Sequence, residues 1–80
     1  MKTPRDLSGD ELIGALQVFG YLRTRQTGSH IQLTTQTGGE HHITVPRHSP
    51  IKIGTLNKIL ALIADHFKIS KSEVLEKLMA

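Results

Sequence analysis

Apolar residues recur at helical spacing in three stretches of the chain, and at every second position between the first and second of these. Leu12, Ile13, Ala15, Leu16 and Phe19 form the first stripe. Ser8 and Glu11 precede it at the spacing of a capping box, in which each side chain satisfies the other's backbone N–H. Gly20 follows where a left-handed residue would end a helix, so the pattern predicts a helix over residues 9–19. After Thr55, the residues Leu56, Ile59, Leu60, Ile63 and Phe67 predict a second helix over 55–67. Ser70 and Glu73 repeat the capping-box spacing ahead of Val74, Leu75 and Leu78, predicting a closing helix over 71–79. Its stripe, extended by Met79, serves either the core or a partner surface.

From Tyr21 to Val45 the period is two, with breaks at Gly28-Ser29 and Gly38-Gly39. This is the signature of a three-stranded meander. Gly28-Ser29 suits a two-residue turn, because glycine accepts the positive φ of its first position. Thr27 then faces His30, Arg25 faces Gln32 and Arg23 faces Thr34, all on the face that carries His30. Ile31 and Leu33 point to the other face, into the core. A two-residue second turn would send Ile43 and Val45 away from Ile31 and Leu33. A three-residue loop, Thr37-Gly38-Gly39, pairs Leu33 with Ile43 and Ile31 with Val45 and keeps one core. In that register His30 lies opposite Pro46, Arg47 and His48 leave the third strand close to it, and His42 sits nearer Thr34.

Residues 47–54 hold a proline, a glycine and several polar side chains and read as an ordered loop. The order is therefore α-β-β-β-α-α. A three-stranded antiparallel sheet with helices on one face buries all the apolar stripes together, an α+β sandwich of two layers.

Eighty residues suffice for one domain, read here as spanning 1–80. The chain has no cysteine, so neither a disulfide nor a cysteine-based metal site braces so small a core, and the composition suits a reducing cytoplasm. Lys2, Arg5, Asp6 and Asp10 precede or open the first apolar stretch, which is unlike a secretory signal, and no apolar window approaches the roughly 20 residues of a membrane span. Ten Lys and Arg against seven Asp and Glu give a formal charge of +3, a mildly basic balance that favours phosphate-bearing partners. His41 and His42 are adjacent on a strand, so they point to opposite faces and do not share a metal ion.

Ser8-Gly9-Asp10-Glu11-Leu12, Phe19-Gly20-Tyr21, Gly28-Ser29-His30, Thr44-Val45-Pro46-Arg47-His48 and Gly54-Thr55-Leu56 occur in an order and at spacings that resemble the HicA (YcfA-like) mRNA interferase toxins. The resemblance spans about Leu7 to Leu78. It departs from the family pattern in a longer C-terminal stretch and in the His41-His42 pair. It implies a fold similar to a double-stranded-RNA-binding domain, an endoribonuclease acting on mRNA, and inhibition by a HicB-type antitoxin, with oligomers formed only through that complex. The family's catalytic histidine maps onto His30. Without the resemblance, His30 reads as an ordinary polar residue on the wet face of a sheet.

RNA cleavage suits this residue set because RNA supplies its own nucleophile, the 2′-hydroxyl, and the protein need only move protons and stabilise a crowded phosphate. Imidazole titrates in the right range for that transfer. The expectation is therefore a metal-independent reaction with no cofactor, with His30 as general acid or base and His48 as the second candidate. Arg23, Arg25, Arg47 and Lys52 are the cations that would face phosphate, with Ser29 beside them in the turn. Asp10, Glu11, Glu40 and Glu73 are scattered over helix starts and a turn, not gathered as metal ligands. The alternative is a non-catalytic RNA-binding module. A binder of duplex RNA would show a lysine-rich helix start, whereas Gly54-Thr55-Leu56-Asn57-Lys58 has one lysine.

Overall fold

The computed structural model describes residues 6–80. Its elements follow the predicted order: α1 (Gly9–Ala15), continued by a 3₁₀ turn (Leu16–Phe19); β1 (Leu22–Thr27), β2 (His30–Thr35) and β3 (His41–Pro46); then α2 (Ile53–Phe67) and α3 (Lys71–Met79). The strands form one antiparallel sheet in the order β1-β2-β3. The fold is α+β, as the alternation of periods implied.

Both capping boxes are present. Ser8 accepts the Glu11 N–H while Glu11 accepts the Ser8 N–H, and Ser70 and Glu73 do the same for α3. The two hydrogen bonds from Ser8 hold the Glu11 carboxyl below its ordinary range. The first helix covers the predicted span, but its last turn tightens to 3₁₀ before Gly20 closes it at φ 82°. The second helix starts two residues earlier than its pattern predicted, at Ile53, with Lys52 at the N-terminal flank and no side-chain cap. Buried Ile51 explains this: its N–H donates to the Leu7 carbonyl, fixing the chain there, and the Lys52 carbonyl takes the first helical bond from Leu56. The preceding loop is correspondingly shorter.

One core lies between sheet and helices. Ile31, Leu33, Ile43 and Val45 from the sheet meet Leu12, Leu16, Leu56, Leu60, Ile63 and Val74 from the helices, all fully or almost fully buried. Leu75 and Leu78 join them, so α3 spends its stripe on the core and leaves Met79 exposed. The buried Thr35 hydroxyl donates to the Phe19 carbonyl and accepts the Thr37 N–H, satisfying the polar group in this core.

The register between β2 and β3 is the one the three-residue loop required, with Leu33 opposite Ile43, Ile31 opposite Val45 and His30 opposite Pro46, but the ladder stops at Thr35 and His41, so the connection runs over residues 36–40 instead of 37–39. Between β1 and β2, Thr27 faces His30 and Arg25 faces Gln32 as expected, but a bulge at Thr24 shifts the pairing beyond. Arg23 consequently lies opposite Leu33, and Leu22 takes the expected place of Arg23 opposite Thr34.

The start of α1 packs against the exit of β3. The Gly9 N–H donates to the His48 carbonyl at 2.8 Å. A Cβ at Gly9 would overlap the Pro46 carbonyl oxygen, so this approach needs a residue without a side chain.

Candidate active site on the open face of the sheet

The side of the sheet away from the helices carries a polar hollow of about 240 Å³ lined by Arg25, Thr27, His30, Gln32 and Thr44. Alternation along β2 sends His30 and Gln32 outward while Ile31 and Leu33 go to the core. Cross-strand pairing then adds Thr27 beside His30, with Arg25 and Thr44 on the two sides of Gln32. The turn that starts β2 is closed by Gly28 at φ 58°, which places His30 at the strand's first position. His30 is exposed, and its ring makes no hydrogen bond among the described residues. Among the described residues the lining holds one cation and no carboxylate.

Beyond Gln32 the next row of side chains is closed on itself. The Thr24 hydroxyl lies 3.0 Å from that of Thr34, which lies 2.7 Å from His42 Nδ1, and His42 Nε2 is 2.8 Å from Glu40. With Glu40 ionised, Nε2–H donates to the carboxylate and Nδ1 accepts from Thr34. The bulge puts Thr24 in this row, where the regular ladder would have put Arg23.

The other expected residues surround the hollow without lining it. The Arg47 N–H donates to the Ser29 carbonyl at 2.7 Å, so the exit of β3 does run beside the first hairpin. The Arg47 guanidinium, however, forms a two-point ion pair with Asp10, at 3.0 and 3.2 Å, and is thereby held toward α1. His48 contributes its carbonyl to α1 and leaves its ring exposed. Ser29 is exposed in the turn, and Lys52 is exposed ahead of α2. Of the residues predicted for the site, the structure gathers His30 and Arg25 into one concavity. It adds Thr27, Gln32 and Thr44, which carried no motif but follow from the register.

A second group of rings lies at the opposite end of the sheet, on the helix side. The Tyr21 hydroxyl is 2.7 Å from His41 Nδ1, and the His41 ring stacks on His66 with centroids 4.3 Å apart and planes within 7°. His66 Nε2–H donates to the Thr37 carbonyl, and Phe67 packs edge-on against His66 and Tyr21. Burial pushes the Tyr21 hydroxyl up to about 12, so it is the donor and His41 Nδ1 the acceptor. Burial, reinforced by positive charge on His66 and His42, lowers His41 from its ordinary value, against a smaller opposing effect of Asp65. As predicted, His41 and His42 point to opposite faces; among the described residues, no three or more His, Asp or Glu gather as metal ligands.

An α+β domain with a histidine and an arginine sharing a hollow on its uncovered sheet face is the class of protein these features define. Residues 9–64, from the first residue of α1 into α2, match the family model of the HicA toxin of bacterial toxin–antitoxin systems. The match covers well over half of the 80 residues and every residue lining the hollow, and the chain belongs to the HicA toxin family. No curated protein and no solved structure gives a match. Membership makes the chain the toxin of a toxin–antitoxin pair and implies an antitoxin as its partner. No helix among the described residues is long and apolar enough to cross a membrane.

Proposed function

We infer that the chain is an endoribonuclease of the mRNA interferase kind, acting in the cytoplasm and restrained by a HicB-type antitoxin. The observation that carries this reading is the state of His30, which is exposed, without a hydrogen-bond partner among the described residues, and beside Arg25 in a hollow free of carboxylates. A general acid or base must be able to reach a substrate proton, and His30 is the histidine that lines the hollow, with no hydrogen-bond partner among the described residues.

In the reaction, the 2′-hydroxyl loses its proton, the 2′-oxygen bonds to the adjacent phosphorus, and the bond from phosphorus to the 5′-oxygen breaks as that oxygen gains a proton. His30 carries one of the two proton transfers, and Arg25 faces the negative charge that builds on the phosphate oxygens. The protein groups named here supply proton transfer and charge stabilisation without a divalent cation. Arg47, already paired with Asp10, supports the strand exit more than the phosphate.

Induction of the chain alone, and together with a HicB-type antitoxin, tests this reading. It predicts growth arrest and mRNA fragmentation relieved by the antitoxin, and cleavage by purified protein that persists in EDTA. Activity lost in EDTA and restored by magnesium would reject the metal-independent chemistry. Harmless expression with intact RNA would leave a module that binds without cutting.

A further inference from the structure

The hollow contains a group that proton transfer does not use. Gln32 sits at its centre, half-buried between Arg25 and Thr44, and its carboxamide makes no hydrogen bond among the described residues. The row beside it, Thr24-Thr34-His42-Glu40, is fully partnered by contrast. A carboxamide offers a donor and an acceptor side by side, the arrangement with which glutamine forms paired hydrogen bonds to the edge of a nucleobase.

Size and lining narrow what fits. At about 240 Å³ the open hollow is of a size to seat one nucleoside. Sheet-face RNA binders hold successive bases by stacking them on aromatic side chains. Here all three of the chain's Phe and Tyr residues, Phe19, Tyr21 and Phe67, pack together on the helix side. The hollow has no Phe or Tyr, so stacking there is left to His30 and Arg25, and Gln32 is the lining residue whose carboxamide offers a donor and an acceptor together, unpartnered among the described residues.

We propose that the hollow is a single-nucleotide subsite in which Gln32 reads the base adjoining the phosphate that His30 and Arg25 face, making Gln32 the specificity-determining residue. The Thr27 and Thr44 hydroxyls flank that nucleotide from β1 and β3. The subsite rests on the reading of His30 and Arg25 as an RNA-cutting pair. In duplex RNA the deep, narrow major groove keeps side chains from the base edges, so the subsite takes a nucleotide from a single strand.

The test is cleavage of a randomised single-stranded RNA pool by the full chain, with every cut site mapped by sequencing, for wild type, Gln32→Ala and Gln32→Glu. Thermal melts confirm that the variants fold. Wild type should show one strongly biased position at the cut, and Gln32→Ala should flatten that position by about tenfold or more while sparing the others. Gln32→Glu keeps the shape but loses the amino donor, and should change which base is favoured. Unchanged bias in both variants, or a uniform loss of rate with the bias intact, overturns the subsite but leaves the nuclease reading standing. No cleavage of any RNA by wild type overturns the nuclease reading and the subsite together.

Discussion

The two histidine regions of this molecule use the same side chain in opposite ways. At the far end of the sheet, His41 and His66 are committed: one accepts from Tyr21, the other donates to the Thr37 carbonyl, and their rings stack. In the hollow, His30 is exposed and makes no hydrogen bond among the described residues. Aromatic packing and one partnered nitrogen on each ring tie a turn to the end of a helix. An imidazole left open beside an arginine is available to a ligand. The difference supports the catalytic role proposed for His30.

The largest effect expected from breaking this contrast is on activity. His30→Ala should lower RNA cleavage by about 10²–10⁴-fold, the contribution typical of a positioned acid or base, while stability changes by less than about 0.5 kcal/mol, as for an exposed side chain without partners. Tyr21→Phe should do the reverse. It removes the donor to His41 and should cost about 1 kcal/mol of stability, read by denaturant unfolding, with cleavage unchanged.

Acid should act on the same end of the sheet. Because His41 is held below its ordinary value in the folded protein, its contribution is fully present above about pH 6.5. It is lost as pH falls through the lowered folded value, since the unfolded chain takes up the proton first. Stability measured against pH should decline in that window, and more gently in His41→Gln.

Smaller still is the effect at Arg47. Its pair with Asp10 is largely exposed, so Arg47→Ala should cost about 0.2–1 kcal/mol. In RNA binding, Arg25→Ala should reduce the slope of log affinity against log salt by about 0.7, and Arg47→Ala by less, because Asp10 already occupies its guanidinium.

How far these regions could be read in the sequence depends on whether burial constrained each residue. The β2–β3 register was legible because a two-residue turn would have put Ile43 and Val45 on the face opposite Ile31 and Leu33, and the register that keeps the four together places Gln32 and Thr44 near His30. The bulge at Thr24 was not legible. All six residues of β1 are exposed, so nothing in their alternation opposed a shift, and Arg23 was assigned to the wrong partner. The Asp10–Arg47 pair and the His41–His66 stack join residues far apart in sequence and carry no local signal. The early start of α2 follows from Ile51, whose burial depends on its bond to Leu7 and not on helical spacing. His30 itself was legible as part of Gly28-Ser29-His30, but its lack of partners among the described residues is a property of the folded chain alone.

The central claim is that His30 moves a proton for the RNA's own 2′-hydroxyl. Its most direct test is cleavage of a single-stranded RNA, and of the same strand with one 2′-deoxy nucleotide at the cut, by wild type and a His30→Ala protein shown to melt normally. The account predicts cutting only for wild type on the all-RNA strand. Cleavage of the 2′-deoxy strand at the same bond, or by His30→Ala at the wild-type rate, would contradict it.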